Sequence, residues 1–117
     1  MSYWGYGPSE CDSGFDAIGV YIILIKKRMY ADAIISIENK TSEQGILATL
    51  ELIRSIAKSY KKCVLVTFNR KDLEKARTLF EKWYSESNSF IPPEYRDKIK
   101  EAGDQEFIVF ETEVFGI

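Results

Sequence analysis

Apolar residues in this chain recur every three or four positions, and that period decides what it can fold into. Phe15, Ile18, Ile22, Ile25 and Met29 keep it, and Ala31, Ala33, Ile34 and Ile37 continue it. Ile46, Leu50, Ile53, Ala57 and Tyr60, with Leu47 and Ile56 beside them, make the clearest stripe. Leu73, Ala76, Leu79, Phe80 and Trp83 make another. A period near 3.6 places such residues on one face of an α-helix. The pattern predicts helices over 12–28, 29–38, 42–60 and 70–86.

The boundaries follow from capping chemistry. Asp12 precedes the first stripe, where its carboxylate can accept from first-turn amides. Asp16 near that start, and Lys26, Lys27 and Arg28 towards the other end, suit the helix dipole. Glu38-Asn39-Lys40 breaks the second helix. Thr41 with Gln44 forms a capping box for the third, and Asn69 caps the fourth. Ser85 to Ser89 reads as a polar loop closed by Pro92-Pro93, with Pro93 suited to a first helical turn. A short helix over 93–102 is then expected to stop at Gly103.

Two stretches depart from this period. Residues 63–68, Cys-Val-Leu-Val-Thr-Phe, are short and β-branched, which favours a strand. The tail Phe107 to Phe115 is β-rich too, and either pairs with 63–68 or continues as helix. The expected fold is mainly α: a compact bundle of four to five helices, with at most a small two-stranded β element over about 63–68 and 107–114. At 117 residues and 13.5 kDa it is a single domain, 1–117.

Missing residue types exclude several kinds of chemistry. The chain has no histidine, which removes Ser-His-Asp and Cys-His catalysis and the usual zinc sites. Cys11 and Cys63 fit no CxxC motif and read as free thiols in a reducing compartment, with a disulfide between them as the alternative. The start has no basic n-region or apolar h-region, and the longest apolar run, Ala17 to Ile25, is far shorter than a membrane span. A soluble, cytoplasmic protein is expected, with no cofactor and no membrane contact.

Trp4-Gly5-x-Gly7-Pro8, followed by Glu10-x-Asp12 and Asp16, is one local signature. It resembles W-G-x-G-x-x-x-N-D-x-x-x-D, the opening of a domain-of-unknown-function family of small bacterial and phage proteins. The likeness covers residues 3–16 well, extends in helix pattern to about 60, and departs at Cys11, where the family has Asn. It implies a mainly helical domain and carries no activity with it.

Three candidate sites follow. In the opening motif, Gly5 and Gly7 permit a tight turn that folds Trp4 over the first helix while Asp12 caps it; the alternative is an anion or base cradle. Glu10, Asp12 and Asp16 are close enough in sequence to hold a divalent metal, although capping and dipole roles also account for Asp12 and Asp16. Charge is segregated. Residues 54–77 carry Arg54, Lys58, Lys61, Lys62, Arg70, Lys71, Lys75 and Arg77 against Asp72 and Glu74, a net +6. Residues 94–117 carry a net −4, within an overall −2. The basic stretch either contacts phosphates or forms solvated helix faces beside the acidic tail. Eight of the 16 aromatics lie in residues 78–117. Trp83, Tyr84, Phe90, Tyr95, Phe110 and Phe115 are candidate partner contacts, or members of one aromatic core.

The function expected is a non-enzymatic protein-interaction module that binds another protein or itself, with a small phage-type inhibitor of host or defence machinery as its narrower form. The alternatives are a nucleic-acid-contacting accessory protein using 54–77 and a metal-dependent hydrolase at the N-terminal carboxylates. A two-fold dimer through the C-terminal half would cover an open β edge and the aromatics together.

Overall fold

The computed structural model describes residues 12–41 and 45–116, with side chains described from residue 14 onward. Four helices account for almost all of them: α1 (Asp12–Asn39), α2 (Gly45–Thr67), α3 (Arg70–Ser87) and α4 (Pro93–Phe110). A 3-10 turn, Asn88–Phe90, joins α3 to the approach to α4, and a π-helical turn, Glu111–Phe115, extends α4. The mainly α bundle expected from the period is the observed architecture. Its 53 × 27 × 20 Å outline reflects the length of α1, whose 28 residues span about 42 Å at 1.5 Å each.

The first correction concerns α1, which is one helix rather than two. Nothing between Arg28 and Met29 breaks the backbone, and the basic triplet has other partners than a helix end. Lys26 Nζ donates to the Thr67 carbonyl at 2.8 Å and pairs with Asp72 Oδ2 at 3.1 Å. Arg28 pairs with Asp32 one turn on, at 2.9 Å. The helix ends where Glu38-Asn39-Lys40 predicted. Lys40 takes a left-handed conformation (φ 54°), and the Thr41 N–H reaches back to the Ser36 carbonyl at 3.1 Å. That closure satisfies a carbonyl the helix end leaves free. The proposed Thr41–Gln44 box and the Asp12 cap lie outside the described residues or side chains.

The second correction concerns the β element: among the described residues there is no strand. Helix α2 kinks at Tyr60 (φ −134°, ψ 49°), where the 42–60 stripe ends, and then resumes through 61–67. Cys63, Val64 and Phe68 are fully buried there, while Leu65 and Val66 stay exposed. This is a helical burial pattern, not an alternating one. The Thr67 hydroxyl also donates to the Cys63 carbonyl at 2.7 Å. Packing of three apolar side chains outweighs β propensity, which is a weak, context-dependent preference. The tail behaves likewise: Phe107, Phe110 and Val114, spaced three and four apart, are buried together.

Two predicted starts hold. Asn69 caps α3 reciprocally with Asp72, side chain to backbone in both directions at 3.0 Å. Pro93 occupies the first turn of α4. The stop at Gly103 does not hold, because α4 runs through it. Gly103 is buried against α3, and a Cβ there would collide with the Phe80 ring, so glycine is needed for close approach. The 85–89 loop is likewise shorter than expected, since α3 runs to Ser87.

The core is aromatic. Phe68 lies 5.0 Å from Phe110, and Phe80 lies 5.8 Å from Trp83 and 5.9 Å from Phe107, all tilted or edge-on. Cys63 is a buried free thiol in this core, and burial pushes its pKa up. Cys11 lies outside the described residues.

Candidate functional site

The eight basic residues do not form one patch. Arg54, on α2, is largely buried by two carboxylates. Its Nε and Nη2 fork onto Glu106 at 2.7 and 2.9 Å, and Nη1 reaches Glu113 at 2.8 Å. The hydrogen bond to Glu106, then that to Glu113, raises the Arg54 pKa, and Arg54 in turn holds the Glu113 carboxyl below its ordinary value. On α3, Arg70 lies over the Phe115 ring and Arg77 over Phe107, each 5.1 Å from the centroid, while Lys75 lies 4.2 Å over Tyr30 of α1. These cations point to different neighbours. Lys58, Lys61, Lys62 and Lys71 are exposed. Within one chain, the acidic tail therefore already meets the basic stretch at Arg54.

The aromatic candidates divide. Trp83 and Phe110 are core residues, 1% and 0% exposed, and so leave the list of surface contacts. Tyr84 is half-buried, its hydroxyl donating to the Arg96 carbonyl at 3.2 Å. Phe115 is half-buried against Phe110. Phe90 and Tyr95 remain outside, 67% and 53% exposed. Among the described residues the β edge expected to favour dimerisation through the C-terminal half is absent, and Phe80, Trp83, Phe107 and Phe110 are buried within the chain.

Phe90 and Tyr95 flank a groove of about 390 Å³. Trp83, Ile91, Pro92 and Ile99 supply its apolar walls, and Lys40 and Thr41 its far rim. Trp83 fixes that rim by donating its indole N–H to the Thr41 carbonyl at 2.6 Å. Ser87 lines the groove too. It is 2% exposed, and its hydroxyl has no hydrogen-bond partner among the described residues.

A second surface was not predicted. Val20, Tyr21, Leu24, Ile34 and Ile35 are large apolar residues of α1 that stay exposed. With Ala17 and Ala31 they line one side of the helix, because positions 17, 21, 24, 28, 31 and 35 alternate steps of four and three. Lys27 and Arg28 interrupt the stripe at mid-length. The opposite side carries the buried Ile22, Met29 and Ala33. Helix α1 thus carries apolar residues on two opposite sides, as a helix covered on both sides does. The signal was visible in the sequence, in Ala17 to Ile25 without a charge and the Ile34-Ile35 pair.

Trp4, Gly5, Gly7 and Glu10 lie outside the described residues, as does the Asp12 side chain, and Asp16 is exposed on the first turns of α1. Among the described residues, no helix is long and apolar enough to cross a membrane. No family model, curated protein or solved structure matches the chain.

Proposed function

We propose that this chain is a non-enzymatic protein-interaction module whose contact surface is the outer face of α1, with a second copy of the chain as partner. The observation that carries this reading is the exposed apolar stripe on a helix whose other side is fully packed. Clustered apolar surface marks an interaction site more often than scattered apolar residues do. An apolar face is complementary to itself, so a second copy can cover it. An antiparallel pair with its two-fold axis level with residue 22 overlaps residues 16–28 of the two helices and sets Val20 against Leu24 of the other copy. The same operator repeats every contact, which is the economy of two-fold interfaces.

Light scattering over a range of concentrations and salt tests this. The parent is expected to be a dimer that persists at high salt, and Leu24→Glu a monomer with an unchanged helical spectrum. A parent monomer that captures another protein, lost in Leu24→Glu, keeps the module and changes its partner. A monomer that captures nothing refutes the reading. The narrower role of a small inhibitor of host or defence machinery rests on the resemblance of the opening motif alone. Phosphate contact by residues 54–77 has less support, because Arg54, Arg70, Lys75 and Arg77 are engaged within the chain.

A further inference from the structure

The groove beside Trp83 has features that packing does not require. A buried hydroxyl without a partner costs free energy, and helical serines usually relieve it by bonding the carbonyl one turn back. Ser87 does not, although it lines a cavity large enough for a small molecule. The walls are aromatic and aliphatic, and the rings of Phe90 and Tyr95 stay exposed beside it.

The one charged residue among those lining the groove is a cation, Lys40. The Arg96 guanidinium folds over the 3-10 turn, donating to the Ile91 carbonyl at 2.9 Å and the Ser89 carbonyl at 3.4 Å. The N-terminus of α4 opens at Pro92-Pro93 with no side-chain cap. Its dipole adds to the positive potential. Glu94, in that first turn, is exposed and does not line the groove.

We propose that this groove binds a ligand carrying an aromatic ring and a carboxylate. The ring stacks among Phe90, Tyr95 and Ile99, where tilted aromatic contacts are favourable. Entry of the ligand uncovers the Ser87 hydroxyl, which is closed to solvent in this structure; it then donates to a carboxylate oxygen, and Lys40 supplies the counter-charge. The same chemistry is presented by a small aryl acid and by a protein tail that ends in an aromatic residue. This inference is independent of the α1 interface.

N-acetyl-L-phenylalanine is the probe, with its amide as the control. In a Trp4→Phe background Trp83 is the one remaining tryptophan and reports occupancy by fluorescence. The acid is expected to bind saturably and the amide about fivefold or more weakly, since a charge-assisted contact is lost. Ser87→Ala is expected to weaken the acid by about three- to tenfold, the worth of one hydrogen bond. It should leave thermal stability equal or higher, because an unpartnered hydroxyl is removed. Lys40→Gln should weaken the acid and not the amide. A peptide ending in Phe with a free C-terminus separates the sources: tighter binding than the small acid assigns a protein tail, and equal or weaker binding a small molecule. No saturable signal up to about 1 mM acid, where binding would be worth only about 4 kcal/mol, overturns the proposal, as does a Ser87→Ala variant that binds like the parent.

Discussion

Gly103→Ala measures how tightly α4 is seated on α3. At an open helical position this change stabilises by about 1 kcal/mol, because alanine has less backbone freedom to lose. Here the new methyl would overlap the Phe80 ring, 2.5 Å from Cζ and closer still to Cε1. Phe80 is fully buried, and Trp83 and Phe107 hold its ring from two sides. It cannot swing into solvent, so either the ring leaves its rotamer or α4 lifts from α3. Overpacking of a dense core costs about 1–3 kcal/mol, and an overlap this deep belongs at the upper end. Subtracting the helix-propensity gain leaves a net loss of about 1–2 kcal/mol. At about 4 °C per kcal/mol for a chain of this size, Tm falls by about 4–8 °C. Urea unfolding followed by circular dichroism checks the figure, and an unchanged slope shows that only stability moved. Phe80→Leu supplies the second arm: with the ring removed, the same alanine should be neutral or stabilising. A Gly103→Ala variant more stable than its parent, or equally costly with and without the Phe80 ring, refutes the reasoning.

Three further outcomes follow from the same contacts. Asn69→Ala should cost about 1 kcal/mol in thermal melts, the usual worth of an N-cap, and Asp72→Ala should cost more, because Asp72 also holds Lys26 and Tyr30 of α1. Arg54→Met should cost about 2 kcal/mol in urea, since it strips a charged hydrogen bond from the largely buried Glu106; a loss that vanishes in high salt would show that the pair behaves as an exposed one. The Tyr30 phenol donates to Asp72, and burial, then the Asp72 charge, holds its proton well above the ordinary value. Its folded pKa is raised, so its stabilisation is whole below about pH 10, the unfolded value, and drains as pH rises beyond it. Tyr30→Phe should flatten that alkaline loss, and an unchanged alkaline limb would remove Tyr30 as its cause.

The helices themselves were legible in the sequence, because periodicity and caps are local. The 46–57 stripe, the Asn69 cap, the break at Lys40 and Pro93 in a first turn each depend on residues within one or two turns. The exposed side of α1 was written there as well, but its importance was not. A helix with apolar residues on two opposite sides states that both want cover and leaves open which side the rest of the chain provides. Tertiary structure decided what no local window contains. Residues 63–68 and 107–114 had β-branched composition and no strand to pair with once each could bury a helical face against the other, Phe68 on Phe110. Gly103 looked like a helix stop and is a contact point for a ring 23 positions earlier. The basic stretch looked like one patch until the fold sent Arg54 to Glu106 and Lys75 to Tyr30. Ser87 looked like part of a polar loop; only the meeting of α3, α4 and the end of α1 turned it into a buried hydroxyl in an aromatic groove. Local chemistry sets the elements at short range, whereas burial is shared by distant segments and exists only once they meet.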